Sequence, residues 1–128
     1  MFNWIMNYHD QVVLLLRIVL GIIFVYHGQA KVRKAGAMAE GFGWPKNLIT
    51  LLGLAEIASG LGVAFGILLS WAALGMIVIM LGAMYYKIFK WKTPFWSMSS
   101  TGWEFDLLIL VAALLILAHG PMEFSLMQ

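Results

Sequence analysis

Five ionisable residues of this 128-residue chain stand inside long apolar runs or at their ends. They are Arg17, His27, Lys31, Glu56 and Glu104. In a membrane-spanning helix, a charge near the centre costs about 2.5–3.5 kcal/mol even on the lenient insertion scale. Such side chains are therefore expected to face other helices and to have partners there. Their chemistry suits buried ion pairing, proton relay, or hydrogen bonding to a small molecule.

Arg17 and Glu56 are predicted to form a buried ion pair. Helical rise puts Arg17 about 8 Å below one boundary of the apolar slab and Glu56 about 12 Å above the other. Their Cα heights then differ by about 10 Å in a slab of about 30 Å, which a long arginine or a bridging water can cover. The pair would either fix the register of two helices or form a polar site in which one partner binds a ligand or proton.

His27, Lys31, Glu56 and Glu104 form a second predicted group, close to an aromatic rim. A quinone head group needs a few hydrogen-bond donors inside an apolar slot, and this group supplies them. His27 could instead titrate, or simply hydrogen-bond a neighbouring helix. We therefore treat the four residues as candidates for quinone binding or proton relay.

Glu104 also has a structural explanation. The run 101–104 (TGWE) is typical of a capping box that begins a helix. Asp106 lies about 200° around that helix from Glu104, so the two carboxylates cannot both face the bundle core. One of them is expected to point inward, while the other reaches water or complements the helix N-terminus.

The sequence excludes several kinds of chemistry. With no cysteine, the chain cannot form disulfides, thiolate zinc sites or cysteine-ligated iron–sulfur clusters. His9, His27 and His119 are expected at different depths, which argues against a haem clamped between two histidines, and we predict no metal site. Nucleophile elbows, phosphate-binding loops and dinucleotide fingerprints are missing, so no catalytic residue is assigned. Electrons for any redox reaction would come from a partner or a bound cofactor, of which a quinone is the one the residues favour.

Four apolar runs are long enough to carry these residues across a bilayer. Hydrophobic residues make up 62% of the chain and charged residues 11%, against about 45–50% and about 25% in a soluble domain. A span needs about 20 apolar residues. The runs are Val12–Ala30, Leu48–Gly66, Leu69–Phe89 and Trp103–His119. We predict one all-α domain over residues 1–128, an integral membrane bundle of four transmembrane helices with a tight hairpin between the second and third.

Basic residues predict how the bundle is oriented. They flank the first and third connections, whereas both tails and the middle turn contain no lysine or arginine. They are Lys31, Arg33, Lys34 and Lys46, then Lys87, Lys90 and Lys92. By the positive-inside rule these two connections are cytoplasmic and both termini lie on the outer side. The net charge of +2 follows this topology and does not indicate nucleic-acid binding.

Small residues mark the faces on which the first two spans should meet. On each span the small residues form a helical stripe, which also carries Arg17 on the first span and Glu56 on the second. The stripes are Arg17, Gly21, Phe24, Gly28 and Lys31 on the first span, and Gly53, Glu56, Gly60 and Val63 on the second. Small residues let helix backbones approach closely in lipid, so packing is the main expected role of these glycines.

These features resemble the DoxX family of small four-helix membrane proteins. The resemblance rests on motifs that follow one another in order along nearly the whole chain. They are Leu16-Arg17, Leu20–Phe24, His27-Gly28 with Lys31, Gly41-Phe42, Gly53–Glu56 with Gly60, Gly82-Ala83, Glu104 before the apolar run Leu107–Leu117, Gly120-Pro121 and Ser125-Leu126. The resemblance implies a multi-pass protein of a bacterial or archaeal plasma membrane.

The family takes its name from subunits of a thiosulfate:quinone oxidoreductase, and its members are described as redox-associated subunits. Five residues here match the family's polar positions, namely Arg17, His27, Lys31, Glu56 and Glu104. Met122 and Met127 stand where the family commonly has glycine and aspartate, so no role carries over to the extreme C-terminus.

Three functions fit the sequence. The first is a quinone-linked redox-associated membrane subunit. The second is a small-molecule transporter or binding protein with Arg17 and Glu56 at a midplane site. The third is a scaffold subunit without chemistry of its own. The expected partners are the lipid bilayer and either further copies of the chain or the other subunits of a membrane redox complex, and not nucleic acid.

Overall fold

A computed structural model describes residues 1–99, 102–120 and Leu126. Regular structure in this part of the chain is helical. The elements are α1 (Asn3–Met6), α2 (His9–Arg33), α3 (Ala35–Phe42), α4 (Lys46–Phe65), α5 (Leu69–Tyr85), a π-helical turn (Tyr86–Lys90) and α6 (Trp103–His119). Among the described residues, three helical segments are long and apolar enough to cross a membrane: α2, α4, and α5 continued by the π-helical turn. Helix α6 has 17 residues.

The outward faces of these helices are apolar, as lipid contact requires. Large hydrophobic side chains stay open on every long helix, including Ile22 (63% exposed), Leu51 (64%), Val78 (60%) and Leu108 (68%). A smaller set of apolar residues fills the interior between α2, α4, α5 and α6. This core includes Leu20, Phe24, Val63, Ala73, Met76, Met80, Ile109, Ala113 and Ile116. The chain is therefore a membrane protein whose interior is packed and whose surface suits the bilayer.

Helices α2 and α4 pack antiparallel, backbone against backbone, along the predicted glycine stripes. A Cβ atom added to Gly28 would lie 2.5 Å from the carbonyl oxygen of Gly53, and one added to Gly21 would lie 2.7 Å from that of Gly60. Distances this short leave no room for any side chain. The predicted close contact between the first two spans is confirmed, and we call it the glycine seam.

The predicted hairpin between the second and third spans is also confirmed. Helix α4 ends at Phe65 and α5 begins at Leu69. Gly66 closes α4 in the left-handed conformation (φ 70°) that glycine adopts without strain. Gly62 then lies against Ala72 across the turn, so α4 and α5 are close neighbours.

The antiparallel order of α2, α4, α5 and α6 gathers the charged connections at one end. This basic end contains the C-termini of α2 and α5, the N-termini of α4 and α6, and α3. The opposite end contains the start of α2, the α4–α5 turn and the end of α6.

The connection between α2 and α4 holds more structure than the sequence predicts. Residues 35–42 form helix α3, although Gly36 and Gly41 favour a loop there. Helix α3 is anchored by Ala35, which is 1% exposed, and ends at Gly43 with φ 75°. Apolar packing therefore outweighs the low helix propensity of the two glycines.

The start of α6 is capped by main-chain carbonyls. The amide of Glu104 donates to the carbonyl of Phe95 (3.1 Å), and that of Trp103 donates to Pro94 (3.4 Å). In a capping box, the amide of Glu104 would bond instead to the side chain of residue 101. That residue lies outside the described part of the chain. Residues 94 and 95 thus satisfy two of the donors that every helix N-terminus leaves open.

Candidate functional site

A cavity of about 490 Å³ lies inside the bundle at its basic end. All four long helices contribute to it, together with the segment that contains Phe42 and Trp44. Most of its wall is apolar. The polar side chains that line it are His27, Lys31, Glu56, Tyr86, Lys87 and Asp106. The volume falls within the range of about 300–1,000 Å³ that is typical of small-molecule sites.

The first ion pair of the cavity joins α2 to α4. The Nζ atom of Lys31 lies 3.0 Å from Oε2 of Glu56, whose side chain is 5% exposed. The glycine seam brings these residues together, because Gly28 and Gly53 touch within one helical turn of them. Within the described residues, this carboxylate oxygen has no hydrogen-bond partner beyond the lysine. It therefore keeps acceptor capacity for a group inside the cavity.

A second ion pair faces the first from α5 and α6. The Nζ atom of Lys87, in the π-helical turn, lies 2.8 Å from Oδ2 of Asp106, whose side chain is 5% exposed. Glu104, which the sequence groups with His27, Lys31 and Glu56, is half-buried and is not among the residues that line this cavity. Asp106 is the carboxylate of α6 that points inward. The sequence had shown that only one of the two can do so.

His27 lines the cavity on the side between α2 and α6. Its ring lies 5.9 Å from that of Phe105, centroid to centroid, and its side chain is exposed. Lys31, Lys87 and Asp106 line the same cavity as His27. The predicted grouping of His27 with Lys31 and Glu56 is therefore present, with Lys87 and Asp106 added.

Four aromatic side chains form a rim around the basic end of the cavity. Trp44 and Tyr86 lie 4.8 Å apart, and Phe42 and Trp91 also lie 4.8 Å apart. Tyr86 contacts Trp91 at 5.7 Å, which joins the two pairs into one cluster. We call these residues the aromatic rim. All four side chains line the cavity.

Arg17 lies away from the cavity and does not pair with Glu56, so that prediction is wrong. It is fully buried, with Nε 2.8 Å from the carbonyl oxygen of Val63 and one terminal nitrogen 3.4 Å from that of Ala64. These carbonyls belong to the last turn of α4, where helix carbonyls lack intrahelical donors. A cation there also complements the negative end of the helix dipole. Arg17 caps α4 from the neighbouring helix.

Two histidines meet at the opposite end of the bundle, against the expectation that no two would share a depth. The rings of His9 and His119 are stacked, with centroids 5.2 Å apart and an angle of 17° between their planes. Asp10 lies beside both rings. The start of α2 and the end of α6 thus converge, which the sequence did not predict.

Comparison with known proteins identifies the family. The sequence model of the DoxX family matches residues 12–91, more than half of the chain. This chain belongs to the DoxX family. No curated protein and no solved structure matches it.

In this DoxX protein, the matched region covers α2 from Val12 onward, then α3, α4, α5 and the π-helical turn. It therefore contains the glycine seam, the aromatic rim and five of the six polar residues named above as lining the cavity. Asp106 is the sixth and lies beyond the match. Sequence reasoning missed Lys87 and Asp106 as partners. The signal for them was a lysine that ends one apolar run and an aspartate in the first turn of the next.

Proposed function

We propose that this DoxX-family protein binds the head group of a quinone in its cavity and acts as a quinone-linked, redox-associated subunit of the plasma membrane. The observation that supports this proposal is a largely apolar cavity that holds two complete ion pairs behind an aromatic rim. Such a site offers hydrogen bonds without offering a net charge.

The charge balance favours a neutral ligand over an ion. Lys31 and Lys87 are each matched by a carboxylate within 3.0 Å, so neither cation is left over to attract an anion. A charged ligand would have to break a pair, and an unpaired buried charge is strongly destabilising. A neutral ring with two carbonyl groups can instead add hydrogen bonds to both pairs.

Each polar residue of the cavity has a proposed role in quinone binding that follows from its chemical type. His27 donates a hydrogen bond to one carbonyl of the ring, since an imidazole N–H is a good donor in an apolar setting. Glu56 and Asp106 accept from a ring hydroxyl and can hold a proton during reduction. The lysines keep these carboxylates in place. A quinone supplies the redox chemistry, and the electrons come from a partner subunit of the membrane complex.

The proposal includes a topology of four spans with both termini outside. Helix α6 is 17 residues long, about 25 Å of helix, which nearly crosses a hydrocarbon core of about 30 Å. Ile109, Ala113 and Ile116 bury one face of α6, while Leu108 and Leu115 stay exposed on others, as in a span. With the basic end in the cytoplasm, residues 1–128 form one transmembrane domain with the cavity in its cytoplasmic half.

Binding of a short-chain quinone to the purified protein tests the proposal. The aromatic rim contains Trp44 and Trp91, so tryptophan quenching reports occupation of the cavity. We expect saturable binding, weakened about 10-fold in His27→Ala, which is the loss of about one hydrogen bond. His9→Ala is the matched control, because it removes an imidazole at the opposite end and should bind as the wild type does.

Each other outcome has a distinct meaning. Equal affinity in a folded His27→Ala protein would remove His27 from the site. Absence of saturable quinone binding in the wild type would overturn the proposal and favour the scaffold function. Preferential binding of a small anion would favour the transporter function instead.

A further inference from the structure

Three potential metal ligands converge at the end of the bundle opposite the cavity. His9 and Asp10 begin α2, and His119 is the last residue of α6. Oδ1 of Asp10 lies 3.6 Å from Nδ1 of His9 and 3.6 Å from Nε2 of His119. One ligand atom from each residue lies within 4.8 Å of the other two. Two imidazoles and one carboxylate are thus brought close together by helices that are distant in sequence.

These distances are close to those around a bound transition metal. Zinc binds nitrogen and carboxylate oxygen at about 2.0–2.2 Å in tetrahedral geometry, so its ligand atoms lie about 3.3–3.6 Å apart. Both distances to the carboxylate of Asp10 already match. Closing the remaining gap between the two imidazoles needs only side-chain rotation, since His9 and Asp10 are exposed.

His119 is not committed to another role within the described residues. Its Nδ1 atom is buried and has no hydrogen-bond partner there. Its ring is stacked on that of His9, with centroids 5.2 Å apart, so the two imidazoles lie side by side next to the carboxylate of Asp10.

We propose that His9, Asp10 and His119 form a binding site for a divalent transition-metal ion such as zinc, with water completing its coordination. Two nitrogen ligands and one oxygen suit Zn²⁺, Ni²⁺ or Cu²⁺, whereas Ca²⁺ and Mg²⁺ prefer oxygen alone. The bound ion joins the start of α2 to the end of α6, two helices that otherwise touch at few points. This inference is independent of the quinone proposal, because the site lies at the other end of the molecule.

Calorimetric titration of the metal-stripped protein with zinc chloride tests the site. The protein must carry no histidine tag, and its lack of cysteine removes thiolates as competing ligands. We expect one zinc ion per chain. Asp10→Asn and His119→Ala should each weaken binding by at least about 10-fold, since even supporting residues of metal sites have effects of 10–100-fold.

Two matched variants control for the loss of a carboxylate and of an imidazole. Glu40→Gln removes an exposed carboxylate of α3, and His27→Ala removes the imidazole of the cavity. Both should keep the wild-type zinc affinity. Thermal melting without metal checks that all variants remain folded.

Zinc binding that is absent from the wild type, or unchanged in both Asp10→Asn and His119→Ala, would overturn the proposal. So would loss of binding in His27→Ala alone, because the ion would then lie in the cavity. Calcium binding of equal strength would also contradict it, since that result indicates attraction to exposed charge and not nitrogen coordination.

Discussion

Removing either member of the Lys31–Glu56 pair should destabilise the protein much more than removing both. The two charges lie 3.0 Å apart, which corresponds to an attraction of about 5.5 kcal/mol at an effective dielectric constant of about 20. Desolvating the two ions offsets most of that attraction, so the net contribution of the pair is small. The loss of one partner is different, because it leaves the other charge buried without compensation.

The test is a double-mutant cycle with methionine, which is close in size to both side chains. Lys31→Met and Glu56→Met should each lower the free energy of unfolding by about 3–5 kcal/mol. The double variant should lose less than either single variant, because no buried charge is left unpaired, and this requires a coupling of at least about 3 kcal/mol. Unfolding in mixed micelles with increasing denaturing detergent, followed by tryptophan fluorescence, measures all four proteins.

Two further cycles give this prediction its controls. Arg33→Met with Glu40→Met removes exposed charges near the same end, and each change should stay within about 0.5 kcal/mol. Arg17→Met with Glu56→Met should be additive, because Arg17 bonds to carbonyls about 10 Å along α4 from Glu56. Additivity between Lys31 and Glu56, or strong coupling between Arg17 and Glu56, would refute this assignment of partners.

Two more predictions concern packing and topology. Gly28→Ala should destabilise the protein by about 1–3 kcal/mol in the same assay, because its Cβ would lie 2.5 Å from a main-chain oxygen of α4. Gly36→Ala is the control: a Cβ there would have no atom within 4 Å, so this variant should be neutral or slightly stabilised. If both variants lost the same free energy of unfolding, the close packing of the glycine seam would be contradicted. Asn7→Cys and Lys34→Cys should react with a membrane-impermeant thiol reagent from opposite sides of sealed cells. Labelling of Lys34→Cys from outside would reverse the proposed orientation.

The sequence predicts the packing surfaces better than it predicts the polar partners. Glycine stripes, the α4–α5 hairpin and the aromatic residues of the basic end are local patterns that one helix displays by itself. The pairing of charges depends on the register between helices. Once Gly28 lies against Gly53 and Gly21 against Gly60, that register puts Arg17 beside Ala64 and away from Glu56.

A second reason why the polar partners are hard to predict is that a sequence suggests contacts between side chains but not contacts with the main chain. Arg17 has main-chain carbonyl partners at a helix end, and no residue type in the sequence reveals them. The meeting of His9 with His119 was missed for a similar reason, because it depends on where α2 and α6 end relative to each other. Both contacts follow from the three-dimensional placement of helix termini.

The side of the bundle between α2 and α6 is the proposed entry route of the ligand. The glycine seam holds α2 firmly to α4, whereas α2 and α6 touch at few points. His27 and Phe105 meet where α2 and α6 face each other, and His27 is exposed there. On the proposed function, a quinone enters from the bilayer between these helices and leaves its apolar tail in lipid. The exposure of His27 on this side favours a ligand that is delivered by the membrane.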